Sequence, residues 1–223
     1  MVYFLRGHGM WCSCKKSTCV RVNHHFSLTL QLNFLQMKKI AIFASGSGSN
    51  AEHIANYFAK GNIARVEVIY CNNPKAFVIQ RAANLRIPLV LFDREKFYAT
   101  ETILRDLNAR NIDLIVLAGF LWLIPENITR NFSERIVNIH PALLPSYGGK
   151  GMYGMIVHKA VIDAGETESG ITIHLIDEVY DKGKTLLQVK CPVTIDDTPE
   201  SLAQKVHQLE YEHFPKVIEK LLQ

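Results

Sequence analysis

Asn138 and His140 stand two residues apart in the stretch VNIHPALLP, residues 137 to 145. An amide can donate a hydrogen bond to a developing oxyanion, and an imidazole can take up or release a proton near neutral pH. Residues 135–139 read as a strand, whose side chains alternate between faces, so the amide and the imidazole share one face. Pro141 has no N–H and holds His140 in extended backbone, so the strand stops there. Ligands of open α/β sheets bind at that carboxyl edge of the strands.

A second stretch, ASGSGSNAEHI (44–54), follows an apolar run and opens a helical pattern. Gly46 and Gly48 can take backbone angles closed to other residues, and the unpaired N–H groups of the helix start point at a bound anion, with a tight turn that holds no ligand as the alternative. Asn50 can cap the helix or contact the ligand. Gly46-x-Gly48-x-x-Ala51 also satisfies a loose dinucleotide fingerprint, which expects an acid at the end of the second strand. That strand ends in YCNNP (70–74), with Cys71, Asn72 and Asn73 in the acid's place, so a monophosphate ligand is favoured over NAD. Asp181, in a turn after a strand containing His174, is a candidate carboxylate for His140, with a plain turn residue as the alternative. His207 and Glu210, three apart on the closing helix, share a face; their spacing alone makes them a solvated pair.

The elements that must position these groups alternate. Apolar runs at 40–44, 66–70, 88–92, 113–117 and 135–139 are expected strands, separated by helical periodicity at 51–58, 76–85, 101–109 and 127–131. Such alternation predicts an α/β fold, an open, doubly wound, mostly parallel sheet with a Rossmann-like N-terminal half. SYGGKGMYG (146–154) is a glycine-rich loop before a helix at 155–164. Strands at 171–176 and 185–189 follow, and a helix at 201–222, kinked or broken at Pro215, closes the chain.

A chain of 223 residues, 48% of them hydrophobic, suits one compact domain. No run approaches the length that spans a bilayer, so no membrane partner is expected. Of 25 basic residues, Arg6, Lys15, Lys16 and Arg21 precede Met37; the remaining 21 face 21 acids, a balance that argues against a nucleic-acid partner. Five cysteines in no even framework argue for a reducing, cytoplasmic compartment. Cys12, Cys14 and Cys19 with His24 and His25 fit no usual zinc spacing, and no metal is expected.

SGSGSN (45–50), LAGF (117–120), NIHPALLP (138–145) and Asp181 in DEVYDKG together resemble the phosphoribosylglycinamide formyltransferase family, in the family's order from Met37 onward. NIHPALLP is shared by other formyl-transfer domains and marks the chemistry; SGSGSN resembles the turn that holds a glycinamide ribonucleotide phosphate. The resemblance implies a formyltransferase fold over residues 37–223 and a catalytic set of Asn138, His140 and Asp181. It implies a phosphate held by Gly48, Ser49 and Asn50, and it places His207 and Glu210 where the family contacts phosphate and ribose, against the solvated reading. The folate would lie along AGFLWLIP with Leu121, Trp122 and Ile124, faced by Val179 and Tyr180.

The implied reaction is attack of the glycinamide amine on the formyl carbon of 10-formyltetrahydrofolate, a co-substrate, with charge developing on the carbonyl oxygen. The partners implied are small molecules, nucleotide and folate, and the chain is a monomer or a homodimer. A formyltransferase acting on another amine, such as a sugar nucleotide, and a non-catalytic nucleotide-binding regulator are the alternatives. Trp122 stands where many bacterial members carry arginine, the 148–154 loop is longer than in several, Ile156 replaces a histidine of some, and His158 matches another, which implies a part in binding rather than catalysis.

Residues 1–36 fall outside the resemblance and read as an extension, disordered or a start-site artefact, with Met37 the physiological start. Mass spectrometry of the native N-terminus is expected to find nothing upstream of Met37; peptides from residues 1–36 would overturn this.

Overall fold

Ile40, Ala41, Ile42, Phe43 and Ala44 are fully buried in the computed structural model, which describes residues 37–176 and 183–223. A run of apolar residues buried on both faces belongs at the centre of a parallel sheet. That is where β1 (Lys38–Ala44) lies, paired in parallel with β2 (Ala64–Cys71) on one side and β4 (Leu114–Leu117) on the other. Two more parallel strands, β3 (Leu89–Leu91) beside β2 and β5 (Ile136–His140) beside β4, extend this half. Two antiparallel strands, β6 (Glu168–Leu175) and β7 (Thr185–Pro192), complete the order β3-β2-β1-β4-β5-β6-β7.

Helices cover both faces, as the alternating pattern predicts. Against one face pack α1 (Ser49–Phe58), α2 (Val78–Leu85), α5 (Met155–Asp163) and α6 (Pro199–Leu222), through residues such as Ile54, Val78, Val161 and Val206. Against the other pack α3 (Thr102–Ala109) and α4 (Glu126–Asn131), through Leu107 and Ile128, over an aromatic cluster of Phe43, Tyr70, Phe92 and Phe97. The Phe43 and Tyr70 rings stack with centroids 4.6 Å apart. No helix among the described residues is long and apolar enough to cross a membrane.

Two local expectations change. The closing helix begins at Pro199, because Thr198 and Ser201 cap it reciprocally, and it runs through Pro215 without a break. Proline removes one intrahelical bond, but Phe214, Pro215 and Ile218 are all buried, and that packing holds the segments on either side in register. Asn50 does not cap α1: the N-cap is Gly48, at φ +74°, and Asn50 lies inside the first turn. The expected extension at 1–36 lies outside the described residues, as does the turn carrying Val179, Tyr180 and Asp181.

Gly48 illustrates why the turn after β1 needs its sequence. Its backbone is left-handed, and a Cβ there would stand 2.4 Å from the Val78 side chain of α2. Gly48→Ala should destabilise the fold by about 1–3 kcal/mol in urea denaturation. Adding Val78→Ala should recover the steric part of the loss; no recovery would mean that backbone strain alone is responsible.

Candidate active site

The order β2-β1-β4 contains a topological switch point, because the chain leaves β1 for a helix on one face and β4 for a helix on the other. A crevice opens there. It forms a cleft of about 570 Å³ lined by the turn after β1, residues 117–124 after β4, the end of β5, the 149–154 loop, and residues of α5 and α6. The two switch-point loops are tied together: Ser45 N donates to Gly119 O at 3.1 Å, and Leu121 N donates to Ser45 Oγ at 3.1 Å.

On the α1 side, Gly46 to Asn50 line the cleft, so the unpaired N–H groups at the helix start face it. Glu52 in the first turn would oppose an anion, but Arg81 from α2 pairs with its carboxylate. The same guanidinium donates to Ser47 O at 3.0 Å, fixing the loop from behind. Asn50 Nδ2 donates to Glu210 Oε2 at 2.8 Å, which brings a residue of α1 and one of α6 together across 160 positions of sequence.

At the end of β5, Asn138 pairs in register with His174 of β6. Asn138 Nδ2 lies 3.1 Å from His174 Nε2, and His174 Nδ1 lies 3.1 Å from Leu175 O. A carbonyl only accepts, so Nδ1 of the neutral ring carries the proton and Nε2 accepts from the Asn138 amide. That contact orients the amide. His140, 4% exposed, has Nε2 at 2.7 Å from Tyr147 O. The same argument puts a proton on its Nε2 and makes Nδ1 the basic nitrogen of the neutral ring. The following PALLP segment is anchored to β6 by Thr172, whose Oγ1 donates to Ala142 O at 2.7 Å and accepts from Leu144 N at 3.0 Å.

His207 and Glu210 line the cleft from α6: Glu210 is 5% exposed, against the solvated reading of its spacing, while His207 sits open at the rim, in keeping with that reading. Burial raises the Glu210 carboxyl to about 7, against the Asn50 hydrogen bond that favours its charged form. The His207 imidazole is lowered by the protein packed around it. Leu121, 44% exposed, and half-buried Trp122 line the opposite side with buried Ile124, an apolar wall suited to a flat ring. The Arg94 guanidinium sits 5.1 Å from the Trp122 ring, a cation against the aromatic face. Of the expected site residues, the cleft collects Gly48, Ser49, Asn50, Leu121, Trp122, Ile124, Asn138, His140, His207 and Glu210; Val179, Tyr180 and Asp181 lie outside the described residues. Ser45, Arg81 and Tyr147 act on the site through backbone or ion-pair contacts that no spacing in the sequence marks.

The state of Glu210 has a measurable consequence. A carboxyl whose folded pKa exceeds its ordinary value of 4.5 adds stability while protonated and loses it as pH rises through about 7. Between pH 5 and pH 8, urea denaturation should show the native protein losing on the order of 2 kcal/mol relative to Glu210→Gln. Parallel profiles would mean that Glu210 titrates normally.

A Formyl transferase family model matches residues 38–218. A phosphoribosylglycinamide formyltransferase of Vigna unguiculata, named as chloroplastic, is 40% identical over 217 residues, covering 95% of this chain and 69% of the relative. The Bacillus subtilis enzyme of that name is 36% identical over 191 residues, 83% of this chain and 95% of its own. A solved glycinamide ribonucleotide transformylase of Geobacillus kaustophilus superposes with a TM-score of 0.76 at 38% identity, covering 84% of this chain and all of that one. With the switch-point cleft and the amide and imidazole at the end of β5, these likenesses place the chain in the formyl transferase family.

Proposed function

We propose that this protein transfers a formyl group from 10-formyltetrahydrofolate to the primary amine of glycinamide ribonucleotide, a step of purine synthesis. The observation that carries the reading is the junction, in one cleft, of an anion-binding helix start, a strand-end amide and imidazole, and an apolar wall. The names of the relatives support the same acceptor.

The folate supplies the formyl carbon when bound; the work of the chain is to orient, polarise and move protons. Leu121, Trp122 and Ile124 would receive the flat pterin, with Val179 and Tyr180 as the facing loop. The helix start at Gly48, Ser49 and Asn50 would hold the nucleotide phosphate, and Glu210 would accept from ribose hydroxyls beside His207. Asn138, its amide held by His174, donates to the oxygen on which negative charge gathers. His140, held by Tyr147 O, moves the proton from the incoming amine toward the leaving nitrogen. Asp181 would orient that ring and favour its charged form. The buried, unbridged thiols of Cys71 and Cys191 support a reducing compartment such as the cytoplasm, although the plant relative carries a chloroplastic name.

An absorbance assay with purified protein, a 10-formyl folate and glycinamide ribonucleotide should record turnover. Asn138→Ala should lower kcat by about 100 to 1,000-fold, and His140→Ala by about 100 to 10,000-fold. Asn50→Ala should mainly raise KM for the nucleotide. Absence of turnover in folded protein would redirect the reading to another amine acceptor, and nucleotide binding without folate-coupled turnover would favour a regulator.

A further inference from the structure

His158 is unused by the mechanism above, yet it is among the most enclosed polar groups of the cleft. It sits on α5, is 2% exposed, and lines the same cavity as His140 and His207. No hydrogen bond joins its side chain to another described residue, and its Nδ1 is sealed from solvent with no partner. A buried polar atom without a partner is costly, and a buried N–H costs more than a buried lone pair, because a donor has only one direction in which to be satisfied. The proton of the neutral ring therefore belongs on Nε2. Burial, reinforced by the charges of His207 and His140, holds the imidazole neutral, with its pKa near 4. The result is an uncharged N–H donor on the cavity wall, within the electrostatic reach of a formyl-side histidine and a ribose-side histidine.

We propose that His158 Nε2–H is a substrate-binding donor that takes the carbonyl oxygen of the nucleotide's glycinamide arm, and so sets the amine against the formyl carbon. This rests on the acceptor proposed above. Along that substrate, the secondary amide lies between the ribose, which Glu210 and His207 serve, and the amine, which His140 serves. Its carbonyl is the acceptor at that point of the molecule. A neutral donor suits it, since an imidazolium there would repel the charge that His140 must carry during turnover.

The test compares His158→Leu, His158→Gln and His158→Asn in the full-length protein, with ribose 5-phosphate as a second probe that lacks the glycinamide arm. Glutamine places an N–H near the Nε2 position; asparagine reaches only the Nδ1 position. His158→Leu should lower kcat/KM for the nucleotide about ten-fold, the worth of one neutral hydrogen bond. His158→Gln should recover most of that loss, His158→Asn should not, and KM for the folate should stay within about two-fold. The Kd of ribose 5-phosphate, by calorimetry, should be unchanged in all three, which also establishes that each variant is folded. Full activity in His158→Leu, or no rescue by glutamine, would overturn the proposal while leaving the formyl-transfer reading intact. Weakened ribose 5-phosphate binding in folded variants would also overturn it, by moving the contact to ribose or phosphate. Failure of the unmodified protein to turn over glycinamide ribonucleotide while it binds ribose 5-phosphate would remove the acceptor reading and this proposal together.

Discussion

The divergence of the chain at the ends of β1 and β4 is the constraint on which the site depends. These neighbours are hydrogen-bonded along their length, yet one continues into a helix on one face of the sheet and the other into a helix on the opposite face. No connection can cover the space between them, so a crevice opens where unpaired backbone groups of both loops are available. Gly48 permits the tight exit from β1 in a left-handed conformation, and Ser45 joins the two loops, so the crevice is held at a fixed width.

Within that crevice, desolvation works in opposite directions on different groups. It raises the carboxyl of Glu210 and lowers the imidazole of His158, because burial disfavours charge of either sign. The start of α1 escapes this effect, because it presents backbone N–H groups, which need no formal charge, and because Arg81 neutralises Glu52 behind the loop. The strand-end pair follows a different rule: Asn138 and His140 are held through His174 and the Tyr147 carbonyl, so their orientation depends on β6 and on the segment after Pro145.

The apolar wall of Leu121, Trp122 and Ile124 is built on the opposite core. Trp122 meets Phe92 with centroids 5.9 Å apart, and Arg94 lies over its indole, so this surface is continuous with the aromatic cluster under β1 and β2. Such packing restricts the rotamers of the wall before any ligand arrives, which lowers the entropy that binding must overcome.

Much of the fold was legible in the sequence, for a physical reason: buried parallel strands need unbroken apolar runs, and surface helices need apolar residues at helical spacing, so Ile40–Ala44 and Ile54 announce their surroundings. The strand-end placement of Asn138 and His140 was legible too, because Pro141 and strand alternation are local effects. What only the tertiary structure decided are contacts between distant segments. Spacing on α6 alone made Glu210 a solvated residue, and local position left Asn50 as either a helix cap or a ligand contact, until α6 packed against α1 and put Glu210 beside Asn50. Pro215 predicted a kink or a break, and the helix runs through it unbroken with its neighbours buried. The neutrality of His158 and its place in one cavity with His140 and His207 are likewise products of three separate elements meeting. Local backbone preference is written residue by residue; desolvation and long-range hydrogen bonds come into being only when the chain has closed around them.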